Sequence, residues 1–314
     1  MKLHTLFLVL LLPWGAHAGP LAREHVAADA KWLVHLDLDV FRGTQLGEQA
    51  IHQFLDPQIT KVTQVLKEQF DIDFDWKQVH GVTVYGLDFK KPEKMDGVVL
   101  IQTELDVAQA LETVLDRLTA QDPNAAPFQR LQQQPFPMYA LKNGKEGVVG
   151  APVAKGLFAL ARKREAIEQA RRVCTGQADS LTAAKRTAPP VTQSAGFLTV
   201  SVMDAALAGA GLPQQMRVLK DAQGAQVVAG EKADKIFLSA ALEAKDNAVA
   251  TQIQQALQGV VALAMLADLP DKDLKLVAES VKVSGRDNTV TIDLQVPVDL
   301  VTQKMVRKEK KRRG

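Results

Sequence analysis

Between Trp32 and Val296 the chain keeps returning to one local plan: short runs of alternating apolar and polar residues, turn chemistry between them, then a stretch of helical period. A period of two puts successive side chains on opposite faces of a strand, whereas a period of 3.6 gives a helix one apolar stripe. "KWLVHLDL" predicts a strand over 32–38, and helical patterns follow at 45–55 and 57–70. "VHGVTVYGLDF" and "DGVVLIQTEL" predict two antiparallel strands joined through polar "KKPEKM", with a helix over 107–119 behind them and a loop over 122–137. "MYALKNGKEGVVGAP" carries the Asn143-Gly144 hairpin signal, "GLFALAR" is another strand, and 163–173 is a basic helix. "GFLTVSVMDAALAGAGL" restarts the plan, "DKIFLSAALEA" is a strand, 246–267 is a long helix, and "ESVKVSGRDNTVTIDLQV" is a hairpin about its turn residues. The fold class expected is α+β: two related subdomains of mainly antiparallel sheet packed with helices.

The boundaries follow from where periodicity fails. "MKLHTLFLVLLLPWGAHA" has Lys2, an apolar run from Leu6 to Trp14 and Ala16-His17-Ala18, a secretory signal over 1–18 with cleavage after Ala18. Export to the periplasm or the exterior is the expectation, and no later cysteine stands where a lipid anchor would attach. "TGQADSLTAAKRTAPPVTQSAG" lacks an apolar period and holds Pro189-Pro190, so 181–195 is expected to link an N-terminal domain, 19–180, to a C-terminal one, 196–303. The end of the long helix, "VVALAMLA", is apolar all round, which predicts burial within protein; it is shorter than a span, so no integral membrane segment is expected after signal removal. One cysteine, Cys174, excludes an internal disulfide, and its helical spacing with Ile167 and Ala170 predicts a buried, inert thiol on a helix ended by Gly176.

Two acidic clusters invite a chemical reading. In "VHLDLDV" alternation places Leu33, His35, Asp37 and Asp39 on one face of the strand and Val34, Leu36, Leu38 and Val40 on the other, so alternation itself accounts for the polar residues. A phosphotransferase D-x-D site needs a wholly apolar strand before it and a distal acidic pair, and both are missing. Asp39 is instead expected to cap the following helix, with Asp204 doing the same in the second half. Asp71, Asp73 and Asp75 have calcium-loop spacing, but Trp76 occupies the glycine position and Val82 that of the bidentate glutamate. The four histidines beyond the signal, His25, His35, His52 and His80, form no H-E-x-x-H and are expected at the surface; G-x-S-x-G, C-x-x-C and nucleotide-binding glycine loops are lacking too. No catalytic, cofactor or metal residue is therefore assigned.

"ADAKWLVHLDLDVFRGTQLGEQ", "FDIDFDWKQVHGVTVYG" and "DGVVLIQTEL", within about residues 28–110, resemble a group of uncharacterised secreted bacterial proteins. The resemblance implies an exported α+β protein and brings no catalytic residue.

Charge adds one candidate site. The chain carries a formal +2, but "KMVRKEKKRRG" concentrates seven basic residues and one acid over 304–314. Lys304, Arg307, Lys308, Lys310, Lys311, Arg312 and Arg313 are the expected contacts with an anionic surface or polymer. The function expected is a non-catalytic binding or interaction module of the cell envelope, with a protein partner or a second copy as further candidates. The alternatives are a secreted hydrolase with its site near the Asp37/Asp39 strand end and a structural surface protein.

Overall fold

The computed structural model of the chain describes residues 19–88, 97–122, 126–132, 135–141, 147–203, 222–266 and 272–303. The signal segment 1–18, the Asn143-Gly144 turn, the Asp204 cap and the basic tail 304–314 lie outside the described residues.

The fold is α+β, built on one twelve-stranded antiparallel sheet. Its strands are β1 (Trp32–Asp37), β2 (Val79–Gly86), β3 (Gly97–Thr103), β4 (Phe128–Arg130), β5 (Tyr139–Leu141), β6 (Val149–Ala154) and β7 (Leu157–Ala161), followed by β8 (Leu198–Val202), β9 (Ala222–Lys232), β10 (Lys235–Ala244), β11 (Lys282–Arg286) and β12 (Thr289–Pro297). The order across the sheet is β11-β12-β10-β9-β8-β1-β2-β3-β7-β6-β5-β4. Outward from the β8–β1 junction each half runs through three meandering strands and then, after a helical stretch, re-enters at the outer edge and meanders back, by β4–β7 in one half and β11–β12 in the other, so that β7 lies beside β3 and β12 beside β10. The halves meet backbone to backbone, Trp32 opposite Val202 and Val34 opposite Val200.

The helices are α1 (Leu38–Arg42), α2 (Gln45–Ala50), α3 (Asp56–Phe70), α4 (Val107–Gln121), α5 (Arg164–Cys174), α6 (Asn247–Leu266) and α7 (Lys272–Ser280), with a π turn over Ile51–Leu55 joining α2 to α3. Side-chain caps set their starts: Asp106 accepts from Gln109 N–H at 2.9 Å and Asp246 from Val249 N–H at 2.8 Å. α5 closes with Gly176 at φ +71°, the left-handed conformation that glycine adopts without strain. Strands β4 and β9 are additions to the sequence reading; "AQGAQVVAGEK" is too rich in glycine and alanine to show a strand period.

The main core lies on one face of the sheet, the closed face, where α5 and the chain entering β1 cover Leu33, Tyr85, Leu100 and Ala159. Segment 181–195, expected as a linker, is tied to this face. Arg186 donates to the carbonyls of Ala28 and Ala30, Thr192 N–H donates to Ser239 Oγ at 3.1 Å, and Thr192 Oγ1 donates to Asp293 at 2.9 Å. Leu181 is fully buried in the main core, and the rest of the segment, which lacks an apolar period, is held largely by these polar bonds.

Three expectations are corrected. The polar side of β1 points inward: His35 and Asp37 are 4 % and 6 % exposed, while Val34 and Leu36 are the part-exposed residues. The α1 cap is Asp37, whose Oδ1 accepts from Asp39 N–H at 3.1 Å and Val40 N–H at 2.9 Å; β1 ends one residue earlier than expected and the helix register moves with it. The apolar end of α6 is exposed, with Leu263 at 69 % and Leu266 at 83 %.

Candidate functional site

Antiparallel pairing brings cross-strand partners to one face, so the sheet register defines the surface opposite the closed core. Val34 pairs with Val84 and Val200, and Leu36 with Val82 and Leu198. Val84 in turn faces Val99, and Val200 faces Val227. All of these side chains are only partly buried. Antiparallel sheets commonly bury one face and solvate the other, with polar residues outward. This sheet is apolar on both faces, and among the described residues its second face is the less covered, open one.

Helices border the open face. α6 packs at one side, where Val249, Ala250 and Ile253 join Leu242 and Val290 in a second core. α4 lies at the other, over β3, β7 and β6. The intervening stretch crosses five strand spacings from β3 to β10, about 24 Å at ~4.8 Å each. Beneath α4 the packing leaves an apolar hollow of about 360 Å³, lined by Ile101, Val107, Leu111, Phe158 and Leu160 among others. At its rim Tyr139 Oη donates to Glu112 at 2.8 Å, and Arg130 pairs with the same carboxylate at 3.2 Å. Burial first, then the Glu112 hydrogen bond, pushes the Tyr139 phenol upward and keeps it protonated.

A second cavity of about 670 Å³ adjoins the hollow, with Val107 and Phe158 in the walls of both. It opens where the end of β3 meets the β6–β7 turn, and its mainly apolar lining also carries polar groups: His25, His80, Gln102, Glu104, Asp106 and Lys155. His80 enters from β2, with Nδ1 2.9 Å from Asp39 Oδ2 and Nε2 3.4 Å from Glu104. Asp39 also pairs with Arg42, whose guanidinium donates to Val79 O at 3.0 Å and lies 4.7 Å from the Trp76 ring centre. Asp39, Arg42 and His80 thus lock α1 against β2 and fix one wall of this second cavity.

The other residues singled out by the sequence have structural roles. His35 Nε2 donates to Gly19 O at 2.8 Å, so Nδ1 accepts from Thr83 Oγ1, also at 2.8 Å. Burial lowers its pKa, opposed in part by the Gly19 carbonyl and Asp37. Asp71 ends α3 in the left-handed region at φ 53°, and Asp75 caps the 3-10 turn Trp76–Gln78. Cys174 packs against the main core, and burial pushes its thiol up to about 12. Among the described residues no group of three or more His, Cys, Asp or Glu is placed to hold a metal ion. Sequence reading missed Val107 and Phe158 as shared walls; the available signal was the period-two apolar register of several strands on the same side as Leu36.

No family model matches the chain, and no curated protein matches it. Among solved structures it is similar to crystal forms of a protein named TP0453. Form III gives a TM-score of 0.48 at 6 % identity, covering 90 % of this chain and 97 % of that one. Form IV gives 0.48 at 10 % identity, covering 93 % and 98 %. Form I gives 0.45 at 11 % identity, covering 92 % and 97 %.

Proposed function

We propose that this chain is an exported, non-catalytic binding module of the cell envelope that holds an amphiphile, its apolar chain on the open sheet face and under α4, its head group in the cavity beside His80. The observation that carries the reading is the inversion of β1: His35 and Asp37 are buried and satisfied by hydrogen bonds, while Val34 and Leu36 face the open side. A solvated strand face would favour the opposite arrangement, because leaving apolar side chains in water costs about 25 cal/mol per Å². The adjoining cavity supplies Lys155, His25 and Gln102 for a polar head, beside the carboxylates of Glu104 and Asp106. Ligand sites of this kind combine apolar walls with a few convergent polar groups.

Export is part of the proposal. Gly19, the first residue after the expected cleavage, is docked into the fold: it accepts from His35, and a Cβ there would lie 2.2 Å from the His80 carbonyl oxygen. The test is native mass spectrometry of the mature chain purified without detergent, followed by organic extraction. A released long-chain amphiphile at about one per chain supports the reading. A chain with no retained amphiphile that also fails to take up added long-chain fatty acid overturns it.

A further inference from the structure

α6 contains no charged residue in its twenty positions, and among the described residues it is the helix long and apolar enough to cross a membrane by length and composition. Its first half is an ordinary core element with Val249, Ala250 and Ile253 buried. Its second half has Val260 56 %, Leu263 69 %, Met265 47 % and Leu266 83 % exposed. At 100° per residue these four side chains span about 220° of the helix, and half-buried Val261 and Ala264 occupy the remaining arc, in line with Ala250 and Ile253. A groove on a partner protein takes one narrow stripe of a helix, whereas a bilayer surface takes the whole wide arc that the fold leaves uncovered.

The helix end also has a defined place. A Cβ on Gly285 would lie 2.3 Å from Gln254 Oε1, and Gln258 Nε2 donates to Val283 O at 3.5 Å, so α6 runs along β11 from Arg286 toward Lys282. With ~1.5 Å per helix residue against ~3.3 Å per strand residue, Val260 comes level with Lys282 and the following residues pass the end of that strand. Lys282 pairs with Asp293 of β12, which continues in the same direction to Pro297 before Val298 bonds to Asp234 O and the chain leads on to the basic tail after Gln303. The uncharged tip and the origin of a segment with seven basic residues and one acid therefore lie toward one end of the sheet.

We infer that residues 260–266 of α6 dip into the surface of an anionic bilayer, with the C-terminal basic segment attracted to its head groups. Seven helical residues measure about 10 Å, enough to enter one leaflet and far less than the ~30 Å hydrocarbon core. Basic residues near an anionic surface add attraction that salt screens, while the apolar tip supplies a part that salt does not remove. Only the buried first half of α6 packs at the border of the open sheet face, so variants at Leu263 and Leu266 are expected to keep solution binding of an amphiphile while losing vesicle binding, which distinguishes the two readings.

The test is co-sedimentation of the mature chain with vesicles of phosphatidylcholine alone or mixed with phosphatidylglycerol, at low and high salt. The parent is expected to bind the mixed vesicles, more weakly as salt rises, and a chain ending at Met305 to lose the salt-dependent part. Leu263→Glu/Leu266→Glu is expected to weaken binding at least about 100-fold while the thermal melt is unchanged, since both side chains are exposed. A Leu266→Trp variant, which keeps the apolar tip, is expected to show blue-shifted emission and quenching by brominated lipid. Equal vesicle binding by parent and double glutamate variant, or no lipid quenching of the tryptophan at 266, overturns the inference. So does a dimer in sedimentation velocity that the glutamate variant converts to monomer with vesicle binding intact.

Discussion

Asp37 Oδ1 lies 2.9 Å from the backbone nitrogen of Val40, inside the turn where β1 becomes α1, and the carboxylate is 6 % exposed. Asp39, two residues on, reaches sideways to Arg42 and His80. The two acids of the D-x-D run therefore have different fates on mutation. Asp37→Ala should destabilise the fold by about 0.5–2 kcal/mol through loss of the cap. Asp39→Ala should cost less than Asp37→Ala, as its pairs are partly solvated and such pairs are worth about 1 kcal/mol or less. Urea unfolding of the two single mutants compares them directly; a larger loss for Asp39→Ala would contradict the assignment.

His35 makes stability fall in acid. Its pKa is lowered in the fold, chiefly by burial, so the unfolded chain, with histidine near 6.5, binds the proton more readily. Its contribution is fully present above about pH 6.5 and is lost as pH falls toward and through the lowered folded value. Replacing His35 by Gln, which can still bond to Gly19 O, should flatten the unfolding free energy between about pH 6.5 and 5 relative to the parent. An unchanged slope would show that the ring titrates freely.

Cys174 should resist alkylation in the folded chain. With its thiol at about 12, almost none is thiolate at neutral pH, and the surrounding core limits access. Iodoacetamide should label it slowly at pH 7.5 and rapidly in denaturant. Fast labelling of native protein would place the thiol at the surface.

Much of the fold was legible because its strands and helices are locally consistent. The β2 and β3 strands, α4 and α5 follow the periods of their own residues, and the Asp287-Asn288 turn joins β11 to β12 as its chemistry indicates. What stayed hidden has a common physical cause. Alternation states which of Leu33, Val34, His35 and Leu36 share a face, but which face is covered depends on α5 and on segment 181–195, both distant in sequence. "VVALAMLA" has the same composition whether it fills a core or projects from one. The join of β1 to β8 is carried by backbone hydrogen bonds, to which no side-chain motif corresponds. The candidate site inherits this limit, since Val107 and Phe158 meet only when α4 is laid on the sheet.

The open face is tested most directly by titrating the mature chain with a dansyl-labelled long-chain fatty acid and following emission. The parent should show saturable, blue-shifted binding near one per chain, displaced by unlabelled long-chain acid. Leu111→Trp, which fills the hollow under α4, and Val84→Glu, which places a charge on the central part of the face, should each weaken it at least about tenfold, or 1.4 kcal/mol, with the folded far-ultraviolet spectrum retained. Binding that does not saturate, or that both variants leave unchanged, would contradict the assignment of this face as the ligand site.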